Sequence, residues 1–205
     1  MTRILLATRN SKKLAELQRI LGDQATILGL ADVPEFPEEP ETGATFAENA
    51  VAKALQAAAA TGEVALADDS GLTVDALNGM PGVLSARWSG RHGDDAANNA
   101  LLLAQMGDVP PARRGAAFVC ALALAVPGEA ESIVRQGEWR GRIVREQVGI
   151  HGFGYDPLFV PRESDVLGDF RTSAQLAPAE KDELSHRGRA IALMLPDLRL
   201  TLGLT

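Results

Sequence analysis

The feature that most constrains this chain is a pair of long strand-like runs joined by a turn. Gly115 to Val126 contains the uncharged stretch Phe118-Val119-Cys120-Ala121-Leu122-Ala123-Leu124, and Ser132 to Val144 follows after Pro127-Gly128. A Pro-Gly pair between two such runs predicts a reversal and an antiparallel pairing. The opening of the chain adds a second constraint. Ile4-Leu5-Leu6-Ala7-Thr8 reads as a buried strand ending in a polar turn. Residues 11–21 carry Leu14, Leu17, Ile20 and Leu21 at helical spacing, with Gly22 as a stop. Thr26 to Leu30 reads as another strand. The order strand, turn, helix, strand is how an α/β fold begins. Taken with the antiparallel pair, it predicts helices around a mixed sheet.

The remaining segments fit that class. Residues 31–43 are rich in Pro and Glu and read as a loop. Thr45-Phe46-Ala47-Glu48 has the hydroxyl and the carboxylate of a capping box, and an alanine-rich helix follows to about Thr61, closed by Gly62. Val64 to Ala67 reads as a strand that stops at Asp68-Asp69-Ser70-Gly71. Asn78 to Gly82 reads as a turn, 94–106 as a helix, Phe153 to Val160 as a loop leading into a strand, and 178–195 as one helix opened by Pro178. There is no internal repeat and no long linker. The 205 residues suit a single domain spanning 1–205, long enough to bury a substantial core.

Composition narrows the partners. Apolar residues make up 46% and aromatics only 4%, so Ala, Leu and Val must supply most of the core. The 20 Lys and Arg against 27 Asp and Glu leave a formal charge of −7, which argues against long nucleic acid, whose binders carry a basic face. A nucleotide is not excluded, because a few cations and a metal held by carboxylates suffice for a triphosphate. Cys120 is the only cysteine, which rules out an intramolecular disulfide, and its apolar surroundings read as a buried structural thiol. The chain does not open with a charged-then-apolar leader, and no apolar run approaches about 18 residues. No membrane partner is expected, and the expected location is a reducing cytoplasm.

Five segments carry the polar chemistry. Thr8-Arg9-Asn10-Ser11-Lys12-Lys13 lies at a strand–helix junction, where backbone N–H groups and the helix dipole favour an anion. It lacks the glycine spacing of a Walker loop, and an ordinary helix cap is the bland alternative. Asp68-Asp69 at the end of a buried strand would be costly without a cation or a donor network. Alternate strand residues face opposite ways, so one carboxylate can enter a cleft while the other ties down the turn. A simple acidic turn remains the alternative. Glu41 precedes the helix on which Asn49 and Lys53 share a face, and the neighbouring Glu38 and Glu39 read as solvated loop charge. Gly152-Phe153-Gly154-Tyr155-Asp156-Pro157 would let the backbone approach a planar ligand with Phe153 stacking on it, or would be a structural turn. Glu180-Lys181 and Ser185-His186-Arg187 would sit on one helix, where a His–Arg pair reads first as surface charge. His92 and His151 are isolated, and nothing has zinc spacing.

Taken in order, these segments resemble the inosine triphosphate pyrophosphatase family, and within it the bacterial dITP/XTP pyrophosphatase branch. The resemblance rests on Thr8-x-Asn10-x-x-Lys13, Glu41-Thr42-Gly43-x-Thr45-Phe46-x-Glu48-Asn49-Ala50, Ala67-Asp68-Asp69-Ser70-Gly71-Leu72, Phe153-Gly154-Tyr155-Asp156-Pro157 and Ser185-His186-Arg187. Pro81-Gly82-x-x-Ser85-Ala86-Arg87 and Ala179-Glu180-Lys181 add to it, and together they cover almost the whole chain. The resemblance implies an elongated α/β fold with a mixed sheet, two lobes with an active-site cleft between them, and a homodimer. It implies Mg²⁺-dependent cleavage of non-standard purine triphosphates, such as ITP, dITP and XTP, to the monophosphate and pyrophosphate. Glu41 and Asp69 would bind Mg²⁺, and Asp69 would serve as the base. Thr8 to Lys13 and Lys181 would hold the triphosphate, with Lys53, Asp68 and Ser70 in support. Phe153 would stack on the purine, Ser70, Gly154 and Tyr155 would also bind the substrate, and Asp156, His186 and Arg187 would read the purine edge. Arg9 stands where the family often has Gly, and Arg87-Trp88 replaces a common Arg-Tyr. Two rival functions are a pyrophosphatase for modified pyrimidine or ordinary nucleotides, and a non-enzymatic binding protein. The second would be signalled by loss of Lys13, Glu41 or Asp69, and all three are present.

Overall fold

The computed structural model describes residues 3–8, 18 and 26–203. Among these residues, six strands form one sheet: β1 (Arg3–Leu6), β2 (Thr26–Leu28), β3 (Ala65–Val74), β4 (Gly115–Ala125), β5 (Ser132–Ile143) and β6 (Phe159–Pro161), in the order β2-β1-β3-β4-β5-β6. β1 is parallel to β2 and β3, with Leu5 opposite Leu28 on one side and Ala65 on the other. β5 and β6 are antiparallel. Residues 126–131 join β4 to its neighbour β5, a connection too short for the crossover of about a dozen residues that a parallel pair needs. The sheet is therefore mixed, and it is flanked by helices as the sequence predicts. These are α1 (Phe46–Thr61), α2 (Asp95–Gln105), α3 (Arg162–Leu167), α4 (Pro178–Leu184) and α5 (His186–Leu202).

The chain divides into two compact units. The first comprises Met1–Asp69, Cys120–Gly137 and His186–Thr205, and the second Ser70–Val119 and Glu138–Ser185. In the first unit, strand alternation sorts the side chains. Ile4 and Leu6 of β1, Leu66 of β3 and Cys120, Leu122 and Leu124 of β4 pack with Ala190, Ile191, Met194 and Leu198 of α5. The intervening Leu5, Ala65 and Ala67 are equally buried, as are Ala50, Ala54, Ala57 and Ala58 of α1. Helix α1 begins where expected. The Thr45 hydroxyl accepts from the Glu48 amide at 3.1 Å, and the Glu48 carboxylate accepts from Ala44 N at 2.7 Å. Gly62 ends it at φ 72°, in the left-handed region that favours glycine, with its N–H on the Ala58 carbonyl. Cys120 is buried among apolar neighbours, as its sequence context predicts.

The second unit has its own core of Leu72, Val74, Leu102, Met106, Phe118, Trp139, Tyr155 and Phe159. Phe159 meets Phe118 edge-on at 4.8 Å and Trp139 at 5.4 Å. Phe118, Trp139, Tyr155 and Phe159, four of the nine aromatics in the sequence, thus share one cluster. Trp139 satisfies its indole N–H on Glu163 at 3.1 Å. Arg114, 3% exposed, donates to the carbonyls of Met106, Ile143 and Val144 and ties the end of α2 to the end of β5.

Three expectations change. β3 does not stop at Asp68 but runs on through Asp68-Asp69-Ser70-Gly71 to Val74, so the acidic pair lies within a strand. The predicted helix 178–195 is two helices, because Ser185 is extended (φ −67°, ψ 159°) and its N–H closes α4 on the Lys181 carbonyl. The strand predicted over Thr26–Leu30 ends at Leu28, and Leu30–Asp32 is a 3-10 turn. Of the helix predicted over 11–21, only residue 18 is described, and it is helical; the rest lies outside the described residues.

Candidate active site

In the first unit, helix α1, the loop before it and the odd-numbered face of β3 bring four polar side chains together. Asn49 and Lys53 are one turn apart on α1 and share a face. Asn49 Nδ2 donates to Asp69 Oδ2 at 2.9 Å. Lys53 Nζ lies 2.8 Å from Glu41 Oε1 and 3.9 Å from Asp69 Oδ1. Asn49 also accepts from Gly43 N at 2.7 Å, and a Cβ at Gly43 would lie 2.6 Å from that oxygen. Gly43 therefore lets the loop carrying Glu41 close onto α1. Burial alone would lower the pKa of Lys53, but the fields of Asp68, Asp69 and Glu41 outweigh it and hold the pKa above the ordinary lysine value. The ammonium is a permanent cation between carboxylates at any physiological pH.

Among the described residues, no three His, Cys, Asp or Glu side chains are grouped to hold a metal by themselves. Glu41 and Asp69 instead offer two carboxylates converging on one positive charge. Such a donor set fits Mg²⁺, which is held by one or two carboxylates, with waters and substrate phosphates completing its shell.

Asp68, on the other face of β3, meets a different partner. Arg187 Nη2 lies 3.4 Å from Asp68 Oδ2, and both side chains are 1% exposed. The His–Arg pair that reads as surface charge is in fact buried, with His186 at 6% and Arg187 at 1%. The reason is the break at Ser185, which makes His186 and Arg187 the first turn of α5 instead of a late turn of a longer helix. Gly137 of β5 makes room for that turn, since a Cβ there would lie 2.1 Å from the His186 carbonyl oxygen. Thr8, just past β1, lines a hollow of about 530 Å³ with residues 29–36 and Glu38. Arg9, Asn10, Ser11, Lys12 and Lys13 lie outside the described residues. Glu38 and Glu39 are exposed, as expected of solvated loop charge, and His92 and His151 are exposed too.

In the second unit, the Gly152–Pro157 segment is organised by Asp156, 2% exposed. Its Oδ2 accepts from Phe153 N at 2.8 Å and faces Lys181 Nζ at 2.7 Å, while Oδ1 accepts from Ser173 Oγ at 2.8 Å. Gly152 is required here, because its φ is 78° and a Cβ would fall 2.0 Å from Asp156 Oδ2. The Phe153 ring lies over Lys181 Nζ, 4.9 Å from centroid to nitrogen. Phe153, Asp156 and Lys181, spread over two distant stretches of sequence, thus meet. The Tyr155 side chain, expected at the substrate, instead points into the core and donates its hydroxyl to the Ser85 carbonyl at 2.9 Å. Burial, reinforced by Asp95, pushes its phenol well above the ordinary range. Ser70 is half-buried on β3.

A family model described as the Ham1 family matches residues 4–197. The chain belongs to the Ham1 family. Curated relatives agree with the resemblance read from the motifs. The chain is 65% identical over 202 residues to a dITP/XTP pyrophosphatase of Nocardia farcinica, covering 97% of this chain and 95% of that one. It is 63% identical to the Mycobacterium tuberculosis protein of the same name, covering 97% and 96%. A crystal structure of the Mycobacterium abscessus nucleoside-triphosphatase, a dITP/XTP pyrophosphatase, superposes with a TM-score of 0.78 at 59% identity, over 95% of this chain and all of that one. The Staphylococcus aureus Ham1 protein superposes with a TM-score of 0.84 at 38% identity, over 98% and 100%. The α/β fold around a mixed sheet is thus that of other Ham1 proteins.

Sequence reasoning left three participants without a role. Asn49 stands on the same helical face as Lys53, yet its bond to Asp69 needed the strand beside it. Asp95 and Asn99 of α2 bond Gly154 across 59 and 55 residues, a relation with no local signal.

Proposed function

We propose that the chain hydrolyses the non-standard purine triphosphates ITP, dITP and XTP to the monophosphate and pyrophosphate. Relatives that it matches over nearly their full length are named dITP/XTP pyrophosphatases, which supports this reading. The observation that carries the reading is the Glu41–Lys53–Asp69–Asn49 cluster, in which two carboxylates converge on one cation, a set of groups that would suit a metal-assisted attack on a polyphosphate. Glu41 and Asp69 would hold Mg²⁺, which when bound offsets phosphate charge and lowers the pKa of a coordinated water.

The chain's own residues do the rest. Asp69 accepts the proton of the attacking water, and the Asn49 amide on its Oδ2 holds the carboxylate in the rotamer that this requires. Lys53 keeps Glu41 and Asp69 close in spite of their like charge. Thr8 to Lys13 and Lys181 hold the triphosphate, and Phe153 stacks on the purine with Asp156 behind it. His186 and Arg187 read the 6-oxo edge. A guanidinium offers only donors, so it pairs with a 6-oxo group and is left unmatched by the 6-amino group of adenine. The whole chain acts as one catalytic domain, and it works as a cytoplasmic homodimer.

The test is pyrophosphate release from ITP, dITP, XTP, GTP and ATP, with Mg²⁺ and with EDTA. Pyrophosphate from the first three, ATP turned over least, and no activity in EDTA are expected. Equal rates on ITP and ATP, or inorganic phosphate and the nucleoside diphosphate as the products, would refute the reading. Sedimentation at micromolar concentration checks the dimer.

A further inference from the structure

The segment carrying Phe153 is held by a part of the chain that the reading above does not use. Asp95 and Asn99 lie one turn apart on helix α2, on a common face. Asp95 Oδ2 accepts from Gly154 N at 2.8 Å, and Asn99 Nδ2 donates to Gly154 O at 3.0 Å. Both polar groups of one residue are therefore taken up by one helix. Gly154 sits at φ 59° with nothing near the place of a Cβ, so its glycine serves the backbone conformation and not a close approach.

The consequence falls on Phe153. Its own N–H is bound by Asp156, which orients the peptide before it, and the bond from Gly154 N to Asp95 orients the peptide after it. With both flanking peptide planes held, φ and ψ of Phe153 are set, and with them the direction of its Cα–Cβ bond and the rotamers open to its ring. Helix α2 is itself anchored one residue earlier. Asn98 accepts from Ser89 N at 2.7 Å and donates to Ala86 O at 3.3 Å. Asn99 is 3% exposed, and its Oδ1 is buried without a hydrogen-bond partner among the described residues. A buried amide that satisfies only its donor side is a poor choice for packing alone.

We propose that Asp95 and Asn99 are positioning residues for base recognition. They aim the Phe153 ring through the Gly154 peptide, and they govern the affinity for the purine while leaving hold of the phosphates and proton transfer to other groups. The proposal rests on Phe153 being the stacking residue.

The test compares Asp95→Ala, Asp95→Asn, Asn99→Leu and Phe153→Ala, and the double variant Asn99→Leu/Phe153→Ala. The readouts are KM and kcat for ITP at saturating Mg²⁺, and Ki for inorganic tripolyphosphate, which has no base. Losing one hydrogen bond of this kind is worth about tenfold in affinity. Asp95→Ala and Asn99→Leu should raise KM for ITP by about that factor, with kcat within about threefold and Ki for tripolyphosphate unchanged. Asp95→Asn keeps an acceptor oxygen and should restore KM to near wild type. In the Phe153→Ala background, Asn99→Leu should add less than about twofold, because the two act through one ring. Parallel rises in KM and in Ki for tripolyphosphate, or fully additive effects with Phe153→Ala, would reduce the pair to a structural role and overturn the proposal. Phe153→Ala with unchanged KM would overturn the stacking assignment and the proposal together. A large effect of Phe153→Ala with Asp95→Ala and Asn99→Leu silent would overturn the proposal alone. Should Asn99→Leu fail to fold, Asp95→Ala, at a half-buried position, carries the comparison in both backgrounds.

Discussion

Removing Arg187 should cost stability as well as base recognition, and the two losses can be separated. Arg187 and Asp68 form an ion pair at 3.4 Å with both side chains 1% exposed. Breaking a buried pair from one side leaves an uncompensated charge and costs about 3–5 kcal/mol. The low end is expected, because Asp68 also lies in the field of Lys53. For a chain of this size, about 3 kcal/mol lowers Tm by roughly 6–12 °C. Arg187→Leu should show that drop in a thermal melt followed by circular dichroism. Replacing both partners, as Asp68→Leu/Arg187→Met, removes both desolvated charges, and such swaps are often neutral or stabilising. The double variant should therefore recover most of the lost Tm, while its preference for ITP over ATP in kcat/KM stays lost because no guanidinium remains. A single variant melting within 2 °C of wild type, or a double variant no more stable than the single, would refute the energetic reasoning. A double variant with full ITP preference would remove Arg187 from recognition.

Three further outcomes are expected. Asp69→Asn keeps the side chain's shape and one acceptor oxygen but loses the charge and the base, so kcat should fall at least about 10²-fold at unchanged Tm, and Mg²⁺ should no longer rescue activity after EDTA. Gly137→Ala puts a Cβ 2.1 Å from the His186 carbonyl oxygen and 2.5 Å from Ala190 N, both backbone atoms, so α5 must shift. About 1–3 kcal/mol of stability and a large part of kcat/KM for ITP should go together, as melts and kinetics on one preparation would show. Hydrogen bonds from Arg171 hold the Glu180 carboxyl below its ordinary value of 4.5. A lowered pKa contributes stability above the unfolded value and loses it as pH falls through the folded one, so Glu180→Gln should flatten the dependence of Tm on pH below about 4.5.

Much of the fold was legible because its signals are local. The capping box at Thr45 and Glu48, the stop at Gly62 and the Pro127-Gly128 reversal each act within a few residues, and each appears where the chain predicts it. The errors arose where a distant partner overrides a local signal. Asp68-Asp69-Ser70-Gly71 looks like the end of a strand, because adjacent carboxylates and a glycine do not favour sheet. Arg187 and the Asn49–Lys53 face compensate the charges, and the strand continues. The 178–195 pattern looks like one helix because nothing in Leu184-Ser185-His186 announces the extended ψ of Ser185. Only the burial of His186 and Arg187 beneath Gly137 shows what that break accomplishes.

The neighbouring pair Asp68 and Asp69 shows how far the site itself could be read. Alternation along a strand predicts that two adjacent carboxylates point to opposite faces and so need not share a role. In the first unit that rule decides the division. Even-numbered Leu66 packs with α5, and Asp68 on the same face meets Arg187 from the first turn of that helix. Odd-numbered Asp69 turns to the other face, where α1 supplies Asn49 and Lys53. Sequence spacing could say that the two aspartates would part company and that Asn49 and Lys53 would face the same way. It could not say which aspartate each helix would meet, because that depends on the side of the sheet to which each crossover returns. The base assignment to Asp69 therefore draws its physical support from the partners. A carboxylate that is the counter-ion of a buried guanidinium would leave that cation uncompensated if it took a proton. One held by a neutral amide, beside a cation and a second carboxylate, is placed to take one.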